Sequence, residues 1–208
     1  MKKIICLLML AALAGYAQCL PSVKGAIGIK PGVNITTYNP DDGEGNLTGA
    51  GGNIGFSLGL DVGNIGIEMA PSFRTTNYSR TDQTLIGDVT WSGHYQNFYL
   101  PVHLQLKAGD IPLVSPFLGL GFALDFQNNG YWAVTSGGST FKTDVPSDQL
   151  ETDFFLSLTL GADLKQAHFK LTPELTFDYN LTADDADTDN RTETNYDITL
   201  SVGLYFVP

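Results

Sequence analysis

The sequence predicts an all-β fold, an eight-stranded antiparallel up-and-down transmembrane β-barrel. Three observations predict it. Apolar residues recur at every second position through eight segments, as in "DFFLSLTLGADL" (153–164), and strand side chains point alternately to opposite faces. The connections between segments alternate strictly between short and long, as periplasmic turns and external loops do in such barrels. Finally, the apolar face carries no charge anywhere, while the opposite face mixes glycines, hydroxyls and charges.

The chain has 208 residues, enough for one small barrel. Residues 1–17 read as a secretory signal, with Lys2 and Lys3 as the basic start, Ile4 to Ala14 as the apolar run and Gly15-Tyr16-Ala17 as the cleavage site. Acylation of Cys19 would need a small residue before it, and Gln18 stands there. Residues 18–208 are then one barrel domain. With Cys6 removed, Cys19 alone allows neither an internal disulfide nor a cysteine-based zinc site. Losing two lysines takes the formal charge from −11 to −13. Such an acidic chain does not bind nucleic acid by neutralising phosphates. No later run suits a transmembrane helix, so a membrane role requires a barrel.

The segments follow in order. Residues 24–37 put Ile27, Ile29 and Val33 on the apolar face, and a long connection (38–52) follows. Residues 53–62, with Phe56, Leu58 and Leu60, meet 65–78, with Ile67 and Met69, through a tight Gly63-Asn64 turn. After 79–91 comes 92–108, with Leu100 and Leu104, then a short connection to 114–127, with Leu118, Leu120 and Phe122. A long stretch (128–151) leads to 152–164, which turns at Lys165-Gln166 into 167–180, with Phe169, Leu171 and Leu175. After 181–194, segment 195–206 carries Ile198, Leu200 and Val202. An even number of strands returns both ends to the periplasmic side. Tyr38, Tyr78, Phe98, Phe126, Tyr179 and Tyr196 are expected in an aromatic girdle near the loops, with Phe206 at the opposite boundary.

The character of the faces decides the solvent. A charge near the bilayer midplane costs about 2–4 kcal/mol for Lys or Arg, so hydrocarbon imposes the continuous ban seen here. The opposite face holds Gly28, Gly32, Gly55, Gly119, Gly121, Gly161 and Gly203 beside Ser57, Ser157, Thr159 and Thr176. Glycine brings no side chain to water, but it suits the crowded inside of an eight-stranded tube. The same face carries Lys30, Glu68, Arg74, His103, Lys107, Asp125, Lys170, Glu174 and Asp178, which must pair within a narrow interior. A soluble ligand-binding barrel would invert this parity. Pro31, Pro71, Pro101, Pro116 and Pro173 fall inside segments and call for bulges or strand ends.

The motifs "GIKPGVNITTY" (28–38), "FYLPVHLQLKAG" (98–109), "SPFLGLGFAL" (115–124) and "FKLTPELTFDYNL" (169–181) together resemble the PorT-like outer-membrane β-barrel family of Gram-negative bacteria. The resemblance implies a barrel in the cell outer membrane. It implies little about activity, although the family's name-giving member is linked to secretion. The end departs from the usual aromatic terminus, because Val207-Pro208 follows Phe206.

Candidate chemistry is sparse. Asp185, Asp187 and Asp189 have the spacing that opens a calcium loop, but Asn190 replaces the glycine and Tyr196 the final glutamate. His103 lacks a serine two residues on, where Gln105 stands, so a lipid-hydrolase triad has no nucleophile. His94 and His168 are too scattered to join it in a metal site. No catalytic, cofactor or metal residue is therefore assigned, and eight strands enclose only enough space for side chains. The expected role is structural or one of surface interaction through four long external loops. Accessory work in secretion or envelope assembly is the alternative, with a lipid A-modifying enzyme or a small pore behind it. The expected surroundings are outer-membrane lipid and lipopolysaccharide, the barrel assembly machinery and an envelope protein partner, with the chain itself monomeric.

The face assignment makes a direct prediction. Leu158→Arg should abolish stable insertion, read as loss of heat-modifiable migration and of outer-membrane fractionation. Its neighbour on the other face, Ser157→Ala, should be nearly neutral, and equal tolerance of the two would reject the register.

Overall fold

The computed structural model describes residues 23–40, 46–85, 87–108, 113–147, 150, 152–166, 168–182 and 192–207. The signal segment 1–17, Cys19 and the Asp185, Asp187 and Asp189 motif lie outside the described residues. Ten strands form one antiparallel sheet: β1 (Val23–Pro40), β2 (Leu47–Val62), β3 (Ile65–Met69), β4 (Ser72–Thr84), β5 (Gly87–Lys107), β6 (Val114–Ser136), β7 (Ser139–Asp144), β8 (Thr152–Gln166), β9 (Phe169–Asn180) and β10 (Thr192–Phe206). β3 and β4 keep the same register against both β2 and β5, so they form one stave interrupted at Ala70-Pro71. β7 pairs only with the outer part of β6. Eight staves remain.

The pairing closes on itself. Stepping across partners from Ile27 leads to Leu58, Met69, Val102, Phe122, Leu156, Tyr179 and Tyr196, and then back into β1 at Thr37. The walk returns ten residues further along the strand it left. For eight staves that stagger sets a strand tilt of about 40° at ordinary strand spacings. The outward apolar run of β8, Phe154 to Leu164, spans about 33 Å along the strand and therefore about 25 Å along the axis. That is the height of the lipid-facing band of a membrane barrel.

The faces fall as the sequence predicts. Ile54, Phe56 and Phe73 stand outward at 61%, 67% and 70% exposure, while Ser57, Ser157 and Thr159 are fully buried inside. Of the five prolines inside the segments, only Pro71 stands at a strand break; Pro31, Pro101 and Pro173 lie inside β1, β5 and β9, and the β1–β10 and β8–β9 pairing is interrupted beside Pro31 and Pro173. Pro71 occupies the break between β3 and β4, and its carbonyl accepts from the Phe56 amide at 3.0 Å. The carbonyls of Pro101 and Pro116 accept from Ala70 and Ala108 at 3.2 and 2.9 Å.

Two expectations change. The stretches 38–52, 79–91 and 128–151 are not simple loops, because β1, β2, β4, β5 and β6 continue into them and β7 forms within the last. Polar cross-strand pairs carry these extensions, with Thr81 and Thr90 bonded at 3.0 Å and Thr135 and Thr140 at 2.9 Å. Gly137 and Gly138, both at positive φ, supply the two-residue turn between β6 and β7. Tyr78 leaves the expected girdle, being 2% exposed against Leu47 and Tyr95 inside the wall. Its even position in a segment whose outward residues are odd explains this. Phe98 and Phe126 do face outward in a chain of rings with Phe73, at centroid distances of 5.9 and 6.3 Å.

Backbone crowding inside the tube is severe at Gly121, where a Cβ would lie 1.9 Å from the Val102 carbonyl oxygen. Gly121→Ala should cost about 1–3 kcal/mol in urea unfolding from vesicles. Gly25→Ala, where a Cβ meets nothing within 4 Å, should stay within about 0.5 kcal/mol.

Candidate functional site

The inward face assembles one continuous polar plug, running from the turn end towards the loops. At the turn end, Lys107 Nζ bridges Asp61 and Asp163, each at 2.7 Å, and Lys170 Nζ reaches Asp163 at 3.2 Å. The Thr172 hydroxyl donates to the same carboxylate at 2.9 Å. Lys170 also lies 4.4 Å above the Tyr205 ring.

In the middle, Lys30 sits between Glu68, at 2.7 Å, and Glu174. Glu68 accepts further bonds from Ser57 at 2.8 Å, Tyr205 at 2.9 Å and Gln105 at 2.5 Å. Those donors come from β2, β10 and β5, so this one carboxylate ties opposite sides of the ring together. Towards the loops, Arg74 contacts Asp197 and reaches Asp125 at 3.8 Å, with its guanidinium 4.9 Å from the Tyr99 ring centre. Asn97 donates to Asp125 at 2.9 Å, while Tyr99 at 2.6 Å and Ser157 donate to Asp178. Above this layer, Asp153 accepts from Asn180, Thr182 and Gln127. Leu47, Tyr78 and Tyr95, packed by Trp132 and Val145, cover the lumen at the loop end.

Large and small side chains interleave between these layers. The Phe117 ring fills the space over Gly161, where a Cβ would come within 2.4 Å of it. The cavity beside His103 holds about 20 Å³, room for one water. His103 is 2% exposed, and its ring nitrogens, like Ser72 Oγ and Asn53 Oδ1, have no partner among the described residues.

The nine inward titratable residues named from the sequence all line this interior. Asp61, Asp153, Asp163 and Asp197 belong to it too, as do Tyr99 and Tyr205. All six lie on the inward parity of their strands, which was the signal for finding them. The three histidines stay apart: His103 faces the lumen, His94 lies on the outer face of β5, and His168 sits in the turn between β8 and β9. Ser157 is more than a space filler. Because it donates to Asp178, Ser157→Ala costs about 1.5–3 kcal/mol and is not the neutral change expected from its size.

The chain has counterparts among known proteins. The family model for the outer membrane protein beta-barrel domain matches residues 4–206. The chain belongs to that family. This outer-membrane barrel therefore resides in the cell outer membrane, and hydrocarbon is the solvent of its apolar band. A major outer membrane protein from Thermus thermophilus is 14% identical, covering 88% of this chain and 99% of that one, with a TM-score of 0.51. Neisserial surface protein A is 14% identical over 88% of this chain and 96% of that one, with a TM-score of 0.45. Ail of Yersinia pestis is 13% identical over 89% and 99%, with a TM-score of 0.43. These are likenesses of fold. No curated protein matches the chain.

The barrel's middle layer yields a test. Lys30→Met strands two buried carboxylates and should lower unfolding stability by about 3–5 kcal/mol. Glu174 has no donor but Lys30 among the described residues, whereas Glu68 keeps three others. The pair Lys30→Met with Glu174→Met should therefore recover part of the loss, read from urea midpoints in vesicles.

Proposed function

We propose that this outer-membrane barrel is a non-enzymatic, monomeric scaffold whose lumen stays shut and whose loop-end hairpins serve structural or surface-interaction roles. The plug is the observation that carries the reading. Each of Lys30, Arg74, Lys107 and Lys170 touches a carboxylate within the interior, and an aromatic cluster covers the loop end. A conducting path would have to part these pairs inside low-dielectric walls, at several kcal/mol for each unpaired ion. The hairpins are what remains for contact. β4 and β5 pair out to Thr84 and Gly87, and β6 and β7 to Ser136 and Ser139.

The motifs at 28–38, 98–109, 115–124 and 169–181 support a PorT-like branch of the family. That branch favours accessory work in secretion or envelope assembly as the second reading. Assembly of the barrel itself falls to the barrel assembly machinery, which would read the final strand. There Phe206 faces outward and packs edge-on against Phe169 at 6.0 Å.

Two measurements test the scaffold reading. In planar bilayers the purified barrel should give no steady conductance step, and on overexpression the lipid A mass spectrum should be unchanged. A stable ohmic current would replace the scaffold by a pore, and altered lipid A would replace it by an enzyme. Partner proteins of defined stoichiometry co-purifying from detergent-extracted outer membranes would favour the secretion reading.

A further inference from the structure

The outer face of the barrel carries a polar cleft just beyond the lipid-facing band. Ala50, Asn77, Ser79, Ser92, His94 and Tyr131 line it, on two cross-strand rows that continue past its rim. Asn77, His94, Tyr131 and Asp144 are successive partners across β4, β5, β6 and β7, and Ser79, Ser92, Ala133 and Lys142 form the next row outward. The cleft holds about 250 Å³, smaller than a drug-sized pocket and of a size for a single sugar ring, and Lys142 and Asp144 of β7 stand beyond its rim. Its parity is outward, since the neighbouring Gly93 and Trp132 turn in towards the aromatic cover of the lumen.

Position determines what can reach it. The outward rings Phe73, Phe98 and Phe126 lie two outward steps below His94 along the same strands. At the barrel's tilt that is about 10 Å along the axis, outside the hydrocarbon and at the level of headgroups. The headgroups of outer-leaflet lipids stand against this wall at that height.

The lining is preorganised for hydroxyls and one anion. Asn77 Nδ2 donates to the Ala50 carbonyl at 2.7 Å, so its Oδ1 is left as the acceptor for His94 Nδ1. That bond leaves His94 Nε2 to accept from a ligand hydroxyl. The Tyr131 ring lies 5.1 Å from the His94 ring, and Lys142 Nζ is held 4.7 Å from the centre of the Tyr131 ring. An ammonium at the rim, resting over the phenol ring beside the imidazole and serine hydroxyls, matches a phosphorylated sugar.

We infer that this cleft binds the sugar-phosphate headgroup of an outer-leaflet glycolipid, such as lipopolysaccharide, at the β4–β7 wall. The inference rests on the outer-membrane placement and names one lipid partner of the proposed scaffold.

The full barrel, refolded in detergent micelles, is given lipopolysaccharide, phosphatidylglycerol or tail-free core oligosaccharide, and the amount retained through size exclusion is measured. Wild type should retain lipopolysaccharide, and His94→Ala, Tyr131→Ser and Lys142→Glu should each retain roughly tenfold less. Tyr179→Ser, outward on the far side of the ring, should match wild type. Equal retention by wild type and the three cleft variants overturns the inference, as does equal retention of phosphatidylglycerol. Retention of the tail-free oligosaccharide as strongly as the intact lipid overturns the lipid assignment in favour of a soluble glycan. Heat-modifiable migration, followed on every sample, separates these outcomes from a loss of the barrel itself.

Discussion

Everything in this molecule depends on the satisfaction of backbone hydrogen bonds in a solvent that offers none. In hydrocarbon an open sheet edge would leave a row of N–H and C=O groups unpaired, each at a cost of several kcal/mol. The ring of partners from Ile27 around to Thr37 leaves no such edge. Once the sheet must close with eight staves and a stagger of ten, tilt and radius follow. The interior is then too narrow for anything but side chains.

That narrowness explains the composition of the plug. Glycine is needed where strands or rings crowd the axis, as at Gly121 against β5 and Gly161 under Phe117. Charges are tolerated there only in pairs, and some pairs link strands distant in sequence, such as Lys30 of β1 with Glu174 of β9. Tyr99 and Tyr205 add hydrophobic bulk while their hydroxyls satisfy Asp178 and Glu68. The same side chains therefore fill the volume, neutralise the charge and tie the wall across its diameter.

Outside the membrane the constraint changes. Water satisfies backbone groups, so the strands need not stay closed, and β7 ends the sheet as a free edge. The apolar alternation fades where the lipid ends, yet pairing continues through threonine contacts and a Gly137-Gly138 turn. Near this transition the wall presents both polar rows and aromatic rings, and there the outward cleft of His94 and Tyr131 arises.

The alternation of side chains determined, without any structure, that the chain makes eight staves and which residue of each pair meets lipid. It holds from Ile27 to Phe206 because a period of two is local and hydrocarbon tolerates no exception on its side. Parity also located the plug, and applied strictly it would have added Asp163 and Tyr205 and moved Tyr78 indoors. Tertiary structure alone decided who pairs with whom: that Glu68 gathers donors from β2, β5 and β10, and that Arg74 lies between Asp125 and Asp197. It also decided that Asn77, His94 and Tyr131 share one wall. Those contacts depend on the stagger with which the ring closes, a sum over eight registers that no single segment of sequence contains.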